Sequence, residues 1–110
     1  MKAGISFDFD GCLADSEELQ AMARTMTASR IRVFILTSRC EAHENRDVLA
    51  IAQRCGIRRS RILKVCESDK WRAMVRHMIT THFDDDIVEV DVINENLPGR
   101  AVLFNYRRYE

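Results

Sequence analysis

The chain has 110 residues, and its 17 basic and 17 acidic side chains leave no net charge when histidine is neutral. This length lets residues 1–110 form a single domain that needs no disulfide or metal to fold, and the charge balance excludes general affinity for nucleic acid or anionic membranes. We expect a reduced, cytoplasmic protein without signal peptide or membrane span, because the four cysteines form no CxxC pair and no run of 18 apolar residues occurs.

The first apolar stretch is unusual because it contains two aspartates. It reads ISFDFDGCLADSEELQ, from residue 5 to residue 20. Apolar and polar residues alternate as in a half-buried strand with one face in water, and Asp10-Gly11 could turn the chain into a hairpin. Alternatively, Asp8 and Asp10 are functional carboxylates at the end of a buried strand, where α/β proteins place their sites.

A calcium-binding loop is a third interpretation of this stretch. Positions 1, 3, 5, 6 and 12 of such a loop would be Ser6, Asp8, Asp10, Gly11 and Glu17. A calcium hand needs a helix that enters the loop, however, and only five residues precede Ser6. Its first position would also be a neutral serine where a carboxylate is preferred, so this interpretation is the least favoured of the three.

After Gly11 the hydrophobic pattern alternates between helical and strand periodicity. We predict helices over residues 15–30, 44–55, 68–78 and 87–96, and strands over residues 33–36, 62–65, 79–83 and 101–105. The segment 87–96 is ambiguous, because IVEVDVI favours a strand by propensity, but a helix there keeps the alternation. The pattern predicts a doubly wound, Rossmann-like parallel sheet of five strands flanked by helices, and it disfavours the hairpin.

The first three predicted helices each have an apolar face that should pack on the sheet. These faces comprise Leu19, Met22, Ala23 and Met26, then Val48, Leu49, Ala52 and Cys55, and finally Trp71, Met74, Val75 and Met78. Gly56 should end the second helix, because glycine readily adopts the left-handed conformation of a helix cap.

Polar residues gather at the carboxyl ends of the predicted strands, where an open parallel sheet places its binding site. The first strand ends in Asp8 and Asp10, the second in Thr37, and the fourth in Asp84 and Asp85. Carboxylates and a hydroxyl at one edge suit a magnesium ion and a phosphate. The aspartates that start the fourth helix have a simpler alternative role, because aspartate is also a favoured helix cap.

Lys70 lies in the first turn of the third predicted helix. A cation there opposes the helix dipole, which costs about 0.3–1 kcal/mol when the side chain is exposed. A bound phosphate would offset this cost. Alternatively, Lys70 is a solvated lysine whose charge is neutralised by the neighbouring Asp69.

Four motifs, in order, resemble those of the haloacid dehalogenase superfamily of phosphohydrolases over nearly the whole chain. DFDGCL resembles the first motif, FILTSR the second and HFDDD the fourth, while Lys70 corresponds to the lysine of the third. The resemblance implies that Asp8 is the nucleophile and that Asp10 is the general acid and base. It implies that Thr37 and Lys70 bind the substrate phosphate, and we add Arg39 to them, with a surface arginine as its alternative role.

The resemblance also implies a Mg²⁺ cofactor. Its ligands would be Asp8, the backbone carbonyl of Asp10 and an aspartate of the fourth motif. For the last ligand our first choice is Asp85, the second Asp84 and the third Asp86.

Two positions leave the comparison with this superfamily open. Cys12 replaces the threonine that usually follows the glycine of the first motif. Lys64 is an alternative for the lysine of the third motif, although it lies within a predicted strand.

The spacing of the motifs leaves no room for the cap domain that many members of this superfamily insert. An open site would suit a nucleic-acid end, a nucleotide or another phosphorylated molecule, or a small substrate enclosed by a second copy in a homo-oligomer. A weaker resemblance, through TSR and HFDDD, is to the phosphatase half of polynucleotide kinase-phosphatases. A polyanion could also meet basic residues at positions 54, 58, 59, 61, 107 and 108, although such runs are usually solvated.

A second class of function remains open, namely a binding or regulatory domain with this fold and little turnover. The chain is short and has no long flap after its first motif. The presence of every side chain that the chemistry requires favours the enzyme.

Overall fold

The computed structural model describes residues 3–39 and 45–104. The elements are β1 Gly4–Asp8, α1 Glu17–Ala28, β2 Arg32–Thr37, α2 Arg46–Cys55, β3 Ile62–Lys64, α3 Lys70–His77, β4 Ile79–Asp84, α4 Ile87–Asn96 and β5 Ala101–Leu103. This order confirms the predicted alternation, including a helix in the ambiguous segment 87–96. The predicted helix start at residue 44, the last strand residue 105 and the basic residues 107 and 108 lie outside the described residues.

All five strands are parallel and follow the order β3-β2-β1-β4-β5, so β1 lies at the centre of the sheet. The chain builds one half of the sheet from β1 to β3 and then returns to add β4 and β5 on the other side. The sheet is therefore doubly wound, and its switch point lies between β1 and β4. The elements formed by the described residues include no cap domain, and none of their helices is long and apolar enough to span a membrane.

Two layers of helices cover the sheet. The helices α1 and α2 pack on one face, with Phe7 of β1 at the centre of that core. The Phe7 ring stacks on Phe83 of β4 at a centroid distance of 5.1 Å. The helices α3 and α4 cover the other face, where their side chains form a second core with Phe34 and Leu36 of β2.

The polar residues of β1 face α3 and α4 and are as buried as its apolar ones. Ser6 is fully buried and Asp8 is 8% exposed. The alternation therefore does not mark a face in contact with water, as a half-buried strand would require. Because Ser6 and Asp8 lie inside a central strand, the structure also contradicts the calcium-loop interpretation, and the helix α1 after Gly11 contradicts the hairpin.

Capping residues set the ends of the helices. Gly56 ends α2 in the left-handed conformation, with φ of 75°, as predicted. The side chain of Asp86 begins α4 by accepting the Val88 N–H at 2.9 Å. This cap helps to start a helix in a segment rich in β-branched residues, whose intrinsic preference is for a strand.

Three residues predicted on the apolar helix faces are instead exposed: Leu49 is 37%, Val75 is 56% and Met78 is 44% accessible. Met78 lies beyond α3 in a left-handed conformation, with φ of 57°, that turns the chain into β4. The buried face of α3 contains Lys70, Ala73 and Met74. This face is rotated toward Lys70, which leaves Val75 on the outer side of the helix.

Candidate functional site

The carboxyl ends of β1 and β4 meet at the switch point of the sheet and bring two aspartates together. Asp8 ends β1 and Asp84 ends β4. Lys70, the first residue of α3, lies between them, with its Nζ 2.9 Å from Asp8 Oδ1 and 3.0 Å from Asp84 Oδ2. Three side chains from three separate motifs therefore form one buried ion-pair network.

Lys70 is only 2% exposed, so its interpretation as a solvated lysine is wrong. The anions beside it are carboxylates of its own chain. Burial alone would lower the pKa of Lys70, but the charges of Asp8 and Asp84 outweigh burial and raise it. Lys64, the alternative lysine, is exposed on the edge strand β3 and does not line the cavity around Asp8.

Asp84 is held through both of its oxygens. Its Oδ2 lies 3.0 Å from Lys70 Nζ and 2.8 Å from His82 Nε2, and its Oδ1 accepts the Asp86 N–H at 3.1 Å. Burial would raise the pKa of Asp84, but the bonds to His82 and Lys70 lower it overall. Asp84 is therefore a carboxylate with a fixed orientation.

His82 continues this network into the core of the sheet. It is fully buried, and its Nδ1 lies 2.7 Å from the hydroxyl of Ser6 on β1. Burial lowers the pKa of His82, and the hydrogen bond to Asp84 opposes this shift. Sequence reasoning did not assign His82 or Ser6 to the site. Each lies two residues before an aspartate of the site, His82 before Asp84 and Ser6 before Asp8, and alternate residues of a strand share a face.

Three carboxylates form a candidate metal site. Asp8, Asp84 and Asp85 each offer one oxygen, and these three oxygens lie within 4.8 Å of one another. Burial raises the pKa of Asp8 to about 8; Lys70 opposes this shift and the charge of Asp84 adds to it. Because hard oxygen ligands suit Mg²⁺ and a divalent cation would relieve their mutual repulsion, the residues present fit this metal.

Gly11 leaves the space that Asp85 occupies. Its φ of 71° is in the left-handed region that favours glycine, and a Cβ at this position would overlap the Asp85 carboxylate. A glycine is therefore required at this position of DFDGCL for two reasons. The turn after β1 has a positive φ, and any side chain would overlap the carboxylate of Asp85.

The three aspartates of HFDDD occupy different positions. Asp84 is buried in the ion-pair network, and Asp85 is half-buried beside Asp8. Asp86 is exposed and caps α4. The alternative role of a helix cap thus applies to Asp86, which was our third choice as a metal ligand, and not to Asp84 or Asp85.

An open cavity of about 440 Å³ lies over these residues at the edge of the sheet. Seven of its ten lining residues are acidic: Asp8, Asp10, Glu67, Asp84, Asp85, Asp86 and Glu89. Lys70 is the one basic residue in this lining. An anionic ligand would be repelled here unless a cation entered with it.

Glu89 of α4 is a member of this cavity that sequence reasoning missed. It is 4% exposed, its Oε2 lies 3.8 Å from Lys70 Nζ, and this oxygen accepts no hydrogen bond from the described residues. Burial raises the pKa of Glu89 to about 7. In the sequence it resembles an ordinary acidic residue of a first helical turn, but its position four residues after Asp85 indicates the same side of the chain.

Asp10 lies at the rim of the cavity, with 61% of its side chain exposed. Both of its oxygens accept hydrogen bonds from Arg39, at 2.7 and 2.9 Å, and Arg39 also donates to both oxygens of Asp47. The guanidinium lies 4.8 Å from the centre of the Phe9 ring. Arg39 is therefore neither a solvated surface arginine nor a residue that lines the cavity; it contacts the two carboxylates.

Thr37 ends β2 and is 1% exposed. Its hydroxyl accepts the backbone N–H of Arg39 at 3.3 Å. The next residue, Ser38, is exposed and lines the cavity, whereas Thr37 does not. A hydroxyl at the end of β2 was predicted, and the structure offers two.

The basic cluster near β3 lies away from this cavity. Arg59 and Arg61 immediately precede β3, at the amino end of the strand, whereas the cavity lies beyond the carboxyl ends. Burial lowers the pKa of Arg61, and the charges of Arg58 and Arg32 lower it further. A polyanion bound at this cluster would therefore be at the opposite edge of the sheet from Asp8.

No family model matches the chain, and no curated protein matches it.

Proposed function

We propose that the chain is a Mg²⁺-dependent phosphomonoester hydrolase of the haloacid dehalogenase type. The observation that supports this most is the contact between Asp8, at the end of the central strand, and the buried Lys70, beside two further carboxylates. In the proposed reaction, this arrangement would supply a nucleophile, a cation for the phosphoryl group and ligands for a metal at one edge of the sheet. The absence of a cap domain from the described residues is consistent with a minimal member of this superfamily.

In the proposed reaction Asp8 attacks the phosphorus in line and forms an aspartyl-phosphate, which water then hydrolyses. Magnesium bound by Asp8, Asp84 and Asp85 would supply the positive charge that lets an anionic nucleophile approach a phosphate. Lys70 neutralises a phosphoryl oxygen as charge develops, and a hydroxyl of Thr37 or Ser38 donates to another.

Asp10 would protonate the leaving alkoxide and then accept a proton from the attacking water. Proton transfer of this kind contributes about 10² to 10⁴ in rate. Both oxygens of Asp10 accept hydrogen bonds from Arg39, so a proton on this carboxyl would occupy one of the lone pairs that these two bonds leave free. Arg39 is thus proposed to orient Asp10, in addition to any contact with substrate.

The open cavity suits a phosphate that projects from a larger molecule, such as a nucleic-acid end or a nucleotide. A small substrate would instead require a second copy of the chain to enclose it. Because the basic cluster lies at the other edge of the sheet, it offers no support for a nucleic acid that crosses the site. A terminal phosphate that enters the cavity alone remains our proposal for the substrate, and the cytoplasm remains our proposal for the location.

The test is phosphate release from an aryl phosphate and from 3′- and 5′-phosphorylated oligonucleotides, with Mg²⁺ or with a chelator. We expect Asp8→Asn to lose at least about 10³-fold in kcat, because nucleophilic attack by this carboxylate is the proposed first step. Asp91→Asn is the matched control, because Asp91 lies on the exposed side of α4. Equal turnover by wild type and Asp8→Asn would contradict the proposal.

A binding or regulatory domain is the second candidate. One observation favours it: burial and the charge of Asp84 raise the pKa of Asp8, which disfavours the charged carboxylate that a nucleophile requires. Wild-type protein that binds Mg²⁺ and phosphorylated ligands without releasing phosphate would establish this alternative.

A further inference from the structure

Five side chains connect the core of the sheet to Asp8 without interruption. Ser6 contacts His82, His82 contacts Asp84, Asp84 contacts Lys70 and Lys70 contacts Asp8, at distances of 2.7, 2.8, 3.0 and 2.9 Å. The first three are fully buried. His82 is the first residue of HFDDD, but neither the resemblance nor the proposed chemistry gives it or Ser6 a role.

The architecture of the sheet explains how these residues meet. Ser6 and His82 are register partners on the neighbouring strands β1 and β4. Asp8 and Asp84 follow each of them by two residues, so all four side chains point to the same face. Lys70 then reaches this block from α3, which covers that face.

The chemistry of the groups assigns the direction of every hydrogen bond. An ammonium only donates and a carboxylate only accepts, so Asp84 Oδ2 accepts from Lys70 and must also accept from His82 Nε2–H. When the ring carries this one proton, Nδ1 is an acceptor, and the Ser6 hydroxyl, which can donate or accept, donates to it at 2.7 Å. Asp84 therefore requires the proton on Nε2, and a hydrogen bond from Ser6 to Nδ1 would stabilise this tautomer.

We propose that His82, held in this tautomer by Ser6, is a positioning residue that fixes the Asp84 carboxylate and, through it, Lys70 and the candidate metal ligands. The proposal rests on the proposed function of the same site. Lys70 already supplies a positive charge beside Asp84. The hydrogen bond from His82 therefore serves chiefly to fix the orientation of the Asp84 carboxylate. With the His82 bond and the Asp86 N–H in place, Asp84 presents the same oxygen to Lys70 in every molecule.

Two substitutions of His82 separate the two ring nitrogens. In His82→Gln the side-chain amide nitrogen lies as many bonds from Cβ as Nε2, so it can donate to Asp84. In His82→Asn the amide lies where Nδ1 was and cannot reach Asp84. Both variants remove the ring, so a purely structural role would affect them alike.

The main measurement is Mg²⁺ affinity by isothermal titration calorimetry, which does not depend on turnover. We expect His82→Asn to weaken Mg²⁺ binding by about 10- to 100-fold and to lower kcat similarly, the range usual for groups that orient metal ligands. His82→Gln should stay within about threefold of wild type. Equal losses in the two variants would overturn the proposal, as would wild-type protein that binds no Mg²⁺.

Nitrogen NMR of the wild-type ring tests the tautomer independently, and a proton on Nδ1 instead of Nε2 would also overturn the proposal. If His82→Asn does not fold, Ser6→Ala replaces it, and unchanged Mg²⁺ affinity in this variant would count against the role of Ser6. Wild-type protein that binds Mg²⁺ but releases no phosphate would contradict the proposed function alone. The affinities of the variants would still decide the role of His82.

Discussion

Lys70 compensates for only part of the negative charge that surrounds it. Three carboxyl groups lie within 4 Å of its Nζ, those of Asp8, Asp84 and Glu89. Two of them, Asp8 and Glu89, have raised pKa values of about 8 and about 7, because burial disfavours their charged forms. One proton or one cation is therefore easily taken up at this site.

The excess of acid predicts a pH-dependent stability that Glu89→Gln should alter. The pKa of Glu89 rises from an ordinary 4.5 to about 7 on folding, so the native state binds this proton more tightly than the unfolded state. The stabilisation that this bound proton gives to the native state is complete below about pH 4.5 and is lost as the pH rises through about 7. In metal-free buffer, wild type should therefore lose roughly 1–3 kcal/mol of unfolding free energy relative to Glu89→Gln as the pH rises from about 4.5 to about 7.

Urea denaturation at a series of pH values measures this difference, with Glu95→Gln, an exposed glutamate of the same helix, as the control. Parallel stability curves for wild type and Glu89→Gln would show that Glu89 is not held in the buried position described.

Residue-scale predictions from the sequence succeeded where chain order places a residue at the end of a strand. Asp8 and Asp84 are examples, because strand ends can be read from the hydrophobic pattern. The burial of Lys70 was missed, since burial depends on how α3 lies on the sheet. The contact between Asp10 and Arg39, 29 residues apart, was also missed, because it depends on a turn and a loop whose paths have no periodic signature.

At the scale of elements, α4 shows a cap that overcomes propensity. The segment IVEVDVI contains five β-branched residues in its seven positions: Ile87, Val88, Val90, Val92 and Ile93. Strand propensity therefore left its type ambiguous in the sequence. The alternation of elements and the cap at Asp86 agree on a helix, and the structure has one.

Removal of this cap should be costly. We expect Asp86→Ala to lower the free energy of unfolding by about 1 kcal/mol, because Val88 N–H would lose its acceptor. Asp86→Asn should cost much less, because asparagine is an equally good cap. Chemical denaturation of the two variants measures the difference, and equal losses would indicate that the charge of Asp86 matters rather than its hydrogen bond.

The limits of the sequence pattern are also visible in α3. Its periodicity predicted Val75 and Met78 inside, but its buried side centres on Lys70, Ala73 and Met74. The ion pairs of Lys70 rotate the helix toward the site, and the apolar pattern alone could not show this. The buried ion pairs of Lys70 thus account for the main error in an otherwise correct assignment of elements.

For the molecule as a whole, the sheet separates two kinds of interior. The face under α1 and α2 is apolar around Phe7, whereas the face under α3 and α4 combines an apolar core with the buried ionised network. The network lines an acidic cavity that is open to solvent. Cation binding at this cavity should therefore stabilise the entire fold.

We expect Mg²⁺ to raise the free energy of unfolding of wild type by about 2.7 kcal/mol at a concentration 100 times its Kd. Asp85→Asn should lose most of this gain, because it removes one of the three clustered carboxylates. Urea unfolding with and without Mg²⁺ measures the effect, and Asp91→Asn should keep the full gain. Equal stabilisation of the Asp85→Asn variant would place the ion elsewhere.

The pairing of β1 with β4 also has a consequence for the order of events during folding. Ser6 and His82 are 76 residues apart, and β2 and β3 lie between β1 and β4 in the chain. Until β4 and α3 arrive, Ser6 and Asp8 have no polar partner among the contacts described. The site thus forms late, after the longest loop closure that β1 makes in the sheet, so Mg²⁺ binding would report that the last half of the chain has folded onto the first.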